Sequence, residues 1–304
     1  VTIKGDTTIE PNETFSVVLG TISNTSPVQT AAITSGDSAT GTITNDDSSN
    51  VTIGDVSITE GNSGIQTATF TVSLSQPVDA TITVDFATVG NTATSGVDFG
   101  SNSSTLTINA GQISGTISVI ISGDTTVELD ETYFINLTNL LASGRNVSLT
   151  DSQAIGTITN DDSAVVSIAH ASITEGASGT STLTFTVSLS QPVDALVSLT
   201  TNTQDDTASA GTDYTAISGG TVSFSANSTT AQSVEITITG DNTVELNETF
   251  SLILSSLTAG SRDVTFTGAA SMLTATGTIT NDDSSNVTIG VVSITEGNSG
   301  TQTL

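Results

Sequence analysis

Long blocks of sequence recur along this chain at intervals of 115 and 121 residues. The pentapeptide SITEG begins at residues 57, 172 and 293, and the heptapeptide GTITNDD begins at residues 41, 156 and 277. An interval of this length is too long for one turn of a solenoid and matches the size of an independent domain. The repeats therefore predict a tandem array of domains.

The repeat boundaries predict two whole domains between two incomplete ones. We expect the end of one domain at 1–48, whole domains at 49–163 and 164–284, and the start of another at 285–304. The first residues, VTIKGDTTIE, lack the form of a signal peptide and begin inside the repeat pattern. We therefore expect the chain to be a piece of a longer protein.

Within each repeat, apolar and polar residues alternate with a period of two. Ala68, Phe70, Val72 and Leu74, for example, are separated by Thr69, Thr71 and Ser73. This alternation is typical of β-strands with one buried and one wet face. In the first whole repeat it predicts seven strands, near 51–59, 66–75, 81–89, 103–109, 115–122, 132–140 and 153–159.

Seven short strands in about 115 residues predict an all-β fold, a tandem of immunoglobulin-like antiparallel β-sandwiches. The chain has no Trp and few aromatic residues, so the core is expected to be aliphatic. No helical period is evident, and no apolar run is long enough to span a membrane.

The charge balance excludes several classes of function. The chain has 3 Lys and Arg against 31 Asp and Glu, for a net charge of −28. Nucleic acids and anionic membrane surfaces both need basic side chains, so neither is an expected partner. Because Cys is absent, disulfides and thiolate metal sites are excluded. An enzyme is not expected, since glycoside hydrolysis by paired carboxylates would need aromatic platforms and the same acids recur in every repeat.

The acidic residues cluster at predicted strand ends and turns. In a sandwich, alternate loops reach the same end, so carboxylates that are distant in sequence can converge there. Hard oxygen ligands without His or Cys suit Ca²⁺. The candidate ligands are Glu60, Asp98, Asp124, Glu128, Glu131, Asp161 and Asp162 in the first whole repeat, and Glu175, Asp213, Asp241, Glu245, Glu248, Asp282 and Asp283 in the second.

Four separated motifs resemble the Calx-β family, which occurs in sodium/calcium exchangers, integrin β4 and bacterial surface proteins. They are SITEG, the GVDF or GTDY tetrapeptide, the acidic turn GDTTVELDETY or its variants, and GTITNDD, in the family's order. The resemblance implies a Ca²⁺ cluster at one end of each sandwich. It adds as ligands Asn160 and Asn281, and in the first, partial repeat Asp6, Glu10, Glu13, Asn45, Asp46 and Asp47. Strong binders have a run of acids where this chain has GDTT and GDNT, which implies fewer or weaker sites.

These features predict a Ca²⁺-binding structural or adhesive repeat of a large secreted or cell-surface protein. Its expected partners are neighbouring repeats of the same chain and other surface or matrix proteins or glycans. Ca²⁺ would neutralise the acidic end of each sandwich and stiffen the junction between domains. Two alternatives remain open: a metal-independent spacer whose acids serve solubility, and a Ca²⁺-sensing region of a membrane protein.

Overall fold

The computed structural model describes residues 1–20 and 38–303 and is built almost entirely of β-strands. It forms two compact units, one of Val1–Thr125 with Leu129–Asp162, and one of Thr126–Glu128 with the chain from Ser163 onward. Part of the predicted segment 1–48 and the last residue of segment 285–304 lie outside the described residues. Among the described residues, no helix is long and apolar enough to cross a lipid bilayer.

Eleven strands lie in the described residues of the first unit. They are β1 (Glu13–Val18), β2 (Ser38–Ile43), β3 (Ser49–Ile53), β4 (Val56–Thr59), β5 (Gly64–Leu74), β6 (Ile82–Gly90), β7 (Ser103–Ile108), β8 (Ser114–Gly123), β9 (Glu131–Leu141), β10 (Val147–Leu149) and β11 (Gln153–Thr159). The first two strands form a small antiparallel sheet. The others form a four-stranded sheet in the order β10-β3-β5-β8 and a five-stranded sheet in the order β4-β11-β9-β6-β7.

The second unit repeats the two larger sheets. Its strands are β12 (Ala164–Ile168), β13 (Ala171–Thr174), β14 (Gly179–Leu189), β15 (Val197–Asp205), β16 (Gly220–Phe224), β17 (Gln232–Gly240), β18 (Glu248–Thr258), β19 (Val264–Phe266) and β20 (Leu273–Thr280), with a short 3₁₀ helix at Thr267–Ala269. The sheet orders are β17-β14-β12-β19 and β13-β20-β18-β15-β16. The all-β, sandwich-like prediction is confirmed.

Two details of the strand prediction are wrong. The strand expected at 51–59 is broken at Gly54 and Asp55, so that β3 joins the four-stranded sheet and β4 joins the five-stranded sheet. The expected antiparallel pairing also fails at the sheet edges, because β4 pairs in parallel with β11, and β10 with β3. A two-residue interruption and a three-residue strand carry too little periodicity to be read from sequence.

The expectation of a purely aliphatic core is wrong at the centre of each unit. In the first unit Tyr133 stacks on Phe99 at a ring-centroid distance of 4.6 Å and meets the edge of Phe70 at 6.0 Å. Gly156 faces the Tyr133 ring, because a Cβ there would lie 2.3 Å from its Cζ. The second unit repeats this trio with Phe250 in the place of Tyr133: Phe250 stacks on Tyr214 and meets the edge of Phe185.

The two tyrosines occupy different positions of these trios and differ in their hydroxyl partners, so their replacement by Phe is expected to have opposite effects. The buried Tyr133 hydroxyl has no hydrogen-bond partner, and burial raises its pKa to about 12. The Tyr214 hydroxyl donates to Asp205 Oδ1 at 2.5 Å. Tyr133→Phe should therefore stabilise the first unit by about 1 kcal/mol, and Tyr214→Phe should destabilise the second by about 1.5 kcal/mol. Thermal unfolding of the two variants checks this, and equal effects of the same sign would contradict it.

Candidate metal centre

The parallel pair of β4 and β11 brings the two most distant acidic motifs of the first unit together. The last paired residues are Thr59 and Thr159, so the two segments leave the sheet at the same end of their strands. The Glu60 amide donates to the Thr159 carbonyl at 3.2 Å, and the Gly61 amide donates to Asp161 Oδ1 at 3.0 Å. This pairing, absent from the sequence-based prediction, is what places SITEG beside NDD.

Three carboxylates converge at that end of the strands. Glu60, Asp161 and Asp162 each offer an oxygen, and these oxygens lie within 4.8 Å of one another. Glu60 is 4% exposed and Asp162 is 5% exposed. Asn62, which the motif search did not single out, donates its side-chain amide to Asp162 Oδ1 at 2.9 Å. The first unit therefore holds a largely buried cluster of acidic oxygens.

Asp162 is in an unfavourable environment for a negative charge. Its Oδ2 is buried without a hydrogen-bond partner. Burial raises the pKa of its carboxyl, and the charges of Asp161 and Asp124 raise that pKa further. A cation bound between these carboxylates would supply the missing partner and offset the repulsion. The donor set thus fits Ca²⁺.

The second unit builds the same cluster by the same means. Strands β13 and β20 pair in parallel and end at Thr174 and Thr280. Beyond them, oxygens of Glu175, Asp282 and Asp283 lie within 4.8 Å of one another. Glu175 Oε1 and Asp283 Oδ2 are buried without hydrogen-bond partners.

The charges around the Glu175 carboxyl come from several loops. Burial raises its pKa most, and Asp241 and Glu245 raise it further, followed by Asp283 and Asp282. The acidic turn after β17 therefore faces the cluster at the ends of β13 and β20. Of the residues predicted in that turn, Asp241 also caps its own loop, since its Oδ1 accepts the Thr243 amide at 2.5 Å.

A second group of acids involves the Gly-x-Asp-aromatic motif. In the first unit, oxygens of Asp98 and Glu131 lie within 4.8 Å of each other, and Asp98 Oδ2 accepts the Thr94 amide at 2.6 Å. In the second unit, burial and the neighbouring Asp213 carboxylate raise the pKa of Glu248 to about 7, with smaller contributions from Glu245 and Glu175. Glu128 lies in the segment Thr126–Glu128, which packs with the second unit.

The acidic residues of the first, partial repeat also lie near one another. Its predicted ligands line one cavity of about 280 Å³, and they are Asp6, Glu10, Glu13, Asn45, Asp46 and Asp47. Burial raises the pKa of Glu10, and Asp6, Glu13, Asp79 and Asp47 raise it further. Lys4 also lines this cavity.

The Asn of each NDD corner has a role that Asp could not perform. The side-chain amides of Asn45, Asn160 and Asn281 donate to the carbonyls of Asp47, Asp162 and Asp283, at 3.1, 3.0 and 3.2 Å. A carboxylate cannot donate this hydrogen bond. Each corner is thus held by the amide of its Asn, and in the last corner Asn281 Oδ1 is buried without a hydrogen-bond partner.

The two arginines lie at other acidic residues. Arg145 binds both carboxylate oxygens of Asp79, at 2.7 and 2.9 Å, and Arg262 binds both oxygens of Asp194, each at 2.6 Å. Their guanidinium groups are therefore committed to Asp79 and Asp194.

Comparison with known proteins identifies the family. A sequence profile of the Calx-beta domain matches residues 1–47, 44–162 and 159–283. No match was found among curated proteins. Among solved structures, the CBD12 tandem of CALX1.2 is 19% identical over 70% of this chain and 82% of its own, with a TM-score of 0.34. The apo-form CBD1 domain of Calx is 20% identical over 38% of this chain and 100% of its own, with a TM-score of 0.34. The profile covers three successive segments, and the chain therefore belongs to the Calx-beta domain family.

Proposed function

We propose that this chain is a Ca²⁺-binding structural repeat module of a secreted or cell-surface protein. The observation that carries the proposal is the set of buried acidic oxygens without hydrogen-bond partners in both whole repeats, on Asp162, Glu175 and Asp283. Buried carboxylates of this kind are unfavourable unless a cation or a proton accompanies them. Oxygen-only sites of extracellular modules typically bind Ca²⁺ with dissociation constants of about 10⁻⁴–10⁻³ M.

Bound Ca²⁺ would act as a structural clamp. It would join Glu60 to Asp161 and Asp162. Without the ion, the pairing of β4 with β11 holds these two segments together. The second unit resumes at Ser163, directly after Asp162, so the clamp would also restrict the point where the chain passes from one repeat to the next. An array stiffened in this way suits an adhesive or matrix-forming stalk whose partners are surface proteins or glycans.

Calcium titration of the chain after treatment with a chelator tests the proposal. Ca²⁺ that binds only the folded state should raise the unfolding free energy by about 2.7 kcal/mol at a hundredfold excess over the dissociation constant. The measurements are titration calorimetry and thermal unfolding with and without EDTA. A metal-independent spacer would show neither binding heat nor a shift in melting temperature.

Matched variants separate specific binding from general charge screening. Asp161→Asn with Asp162→Asn keeps the acceptors for the Gly61 and Asn62 donors but removes the charge, so the first unit should lose its Ca²⁺ response. Asp130→Asn is the control. Asp130 accepts the Asn160 amide, as Asn12 and Asn247 accept the corresponding amides of the other repeats, so Asn already serves this position. A full Ca²⁺ response in the double variant would contradict the ligand assignment.

A further inference from the structure

One apolar residue of each of the first two acidic turns is buried in a core that is otherwise formed by the repeat that follows. Ile9 of GDTTIE is 0% exposed and packs in the core of the first unit. Val127 of GDTTVE is also 0% exposed, and it packs in the core of the second unit, to which Thr126–Glu128 belong. The same position of the motif is therefore a core residue in both units.

Ile9 and Val127 are each held by the equivalent turn of their own unit. The Ile9 amide donates to the Pro77 carbonyl at 3.0 Å, and the Asp79 amide donates to the Ile9 carbonyl at 3.1 Å. The Ile9 backbone thereby forms a parallel bridge with Val78. Two hydrogen bonds and a buried side chain make a specific receptor for one residue.

The second unit presents the same receptor. The Val127 amide donates to the Pro192 carbonyl at 2.9 Å, the Asp194 amide donates to the Val127 carbonyl at 3.2 Å, and Val127 bridges Val193. Both receptors derive from the same sequence, SQPVDA, at 75–80 and 190–195. We call this element the Pro-Val-Asp turn.

Charge completes the receptor. Arg262 binds Asp194 of the Pro-Val-Asp turn through two nitrogens. The pKa of Arg262 is raised chiefly by the hydrogen bond to Asp194, and the carboxylate of Glu128, next to Val127, also raises it. Val127 therefore fills an apolar site, and the negative charge of Glu128 acts on the neighbouring Arg262 guanidinium. Arg145 binds Asp79 in the same way.

In the third acidic turn, the corresponding apolar residue is exposed to solvent. Val244 of GDNTVE corresponds to Ile9 and Val127, yet it is 51% exposed. Leu246 is 87% exposed, whereas the corresponding Leu129 is 45% exposed. The described residues from 284 onward contain no strand that could supply a receptor.

We propose that Val244 and Glu245 form a docking segment for the Pro-Val-Asp turn of a further repeat of the same kind, one that carries an Arg beside its Asp. Val244 would enter the core of that repeat and its backbone would take two hydrogen bonds from the turn. The inserted residue thus links each repeat to the folding of the next.

The test extends the chain by one repeat. Residues 285–304 correspond to 164–183, so a copy of residues 184–283 added after residue 304 completes a repeat with its own Pro-Val-Asp turn and Arg. In this extended chain, Val244→Asp should lower the melting temperature of the added repeat by about 10 °C, because a charge replaces a buried methyl-bearing side chain. In the original chain the same substitution should leave unfolding unchanged.

Two controls keep the result interpretable. Val127→Asp should destabilise the second unit in both chains, and Leu246→Asp should have a smaller effect than Val244→Asp, because its counterpart Leu129 stays half exposed. Hydrogen exchange of the unsubstituted extended chain gives a second readout. The Val244 amide should become protected by about 100-fold relative to the original chain. An unprotected Val244 amide, or Val244→Asp without effect in the extended chain, would overturn the proposal.

Discussion

Gly123→Ala is expected to destabilise the first unit by about 3 kcal/mol and to weaken its response to Ca²⁺. A Cβ at Gly123 would lie 2.0 Å from the Gly61 carbonyl oxygen and 2.6 Å from that of Glu60. Both obstacles are backbone atoms, so no side chain can rotate away. The loop that carries Glu60 would have to move, and with it one of the three clustered carboxylates.

The second unit offers the reciprocal experiment. A Cβ at Gly240 would lie 2.0 Å from the Gly176 carbonyl oxygen and 2.8 Å from that of Glu175. Gly240→Ala should therefore destabilise the second unit and spare the first. Hydrogen exchange of the amides of β8 and β17 reports the two units separately.

Gly54→Ala is the matched control for these substitutions. Its Cβ would meet nothing within 4 Å. The change should leave stability unaltered or raise it by up to about 1 kcal/mol, because Ala restricts the unfolded chain. A loss at Gly54 as large as that at Gly123 would show that the clash at the Glu60 loop is not the cause.

In the absence of Ca²⁺, the melting temperature of the second unit is expected to fall as pH rises from 5 to 8. The pKa of Glu248 is raised from 4.5 to about 7 by burial and by Asp213, and burial also raises the pKa of Glu175. A group whose pKa is raised on folding favours the folded state while it is protonated. Its contribution is complete below about pH 4.5 and is lost as pH rises through about 7.

Thermal unfolding in EDTA across this pH range measures the effect, which should be roughly 5 °C. Saturating Ca²⁺ should remove most of the slope, since the cation stabilises the ionised carboxylates. Glu248→Gln should flatten the profile of the metal-free chain, whereas Glu235→Gln, at an exposed mid-strand position of the same unit, should not. A flat profile would show that the acidic cluster is fully solvated, and a slope of opposite sign would show that folding lowers the pKa values of these carboxyls.

The alternation of apolar residues was sufficient to predict the long strands of the first whole repeat. The strand expected at 66–75 is β5 at Gly64–Leu74, and the one expected at 132–140 is β9 at Glu131–Leu141. Burial on one face imposes a period of two on such long strands, so sequence reports them well. It did not report β10, whose three residues are too few to show a period.

The acidic residues could be named from sequence, but their grouping could not. Gly61, next to Glu60, and Asp161 are 100 residues apart, and only the parallel pairing of β4 with β11 brings them to the same end of the sheet. The sequence does show that each NDD motif begins with Asn and not with Asp. Its meaning, an amide donor that ties the corner to a carbonyl two residues later, became clear only from the hydrogen bonds.

The sequence by itself determined the repeat array, the β-class of the fold and the excess of carboxylates over basic groups, because each of these is a local or compositional property. The tertiary structure decided which carboxylates share a site and which core receives Val127. Those outcomes depend on pairing between strands far apart in the chain, where many registers satisfy the same local alternation. Only the packing of the whole unit selects one of them.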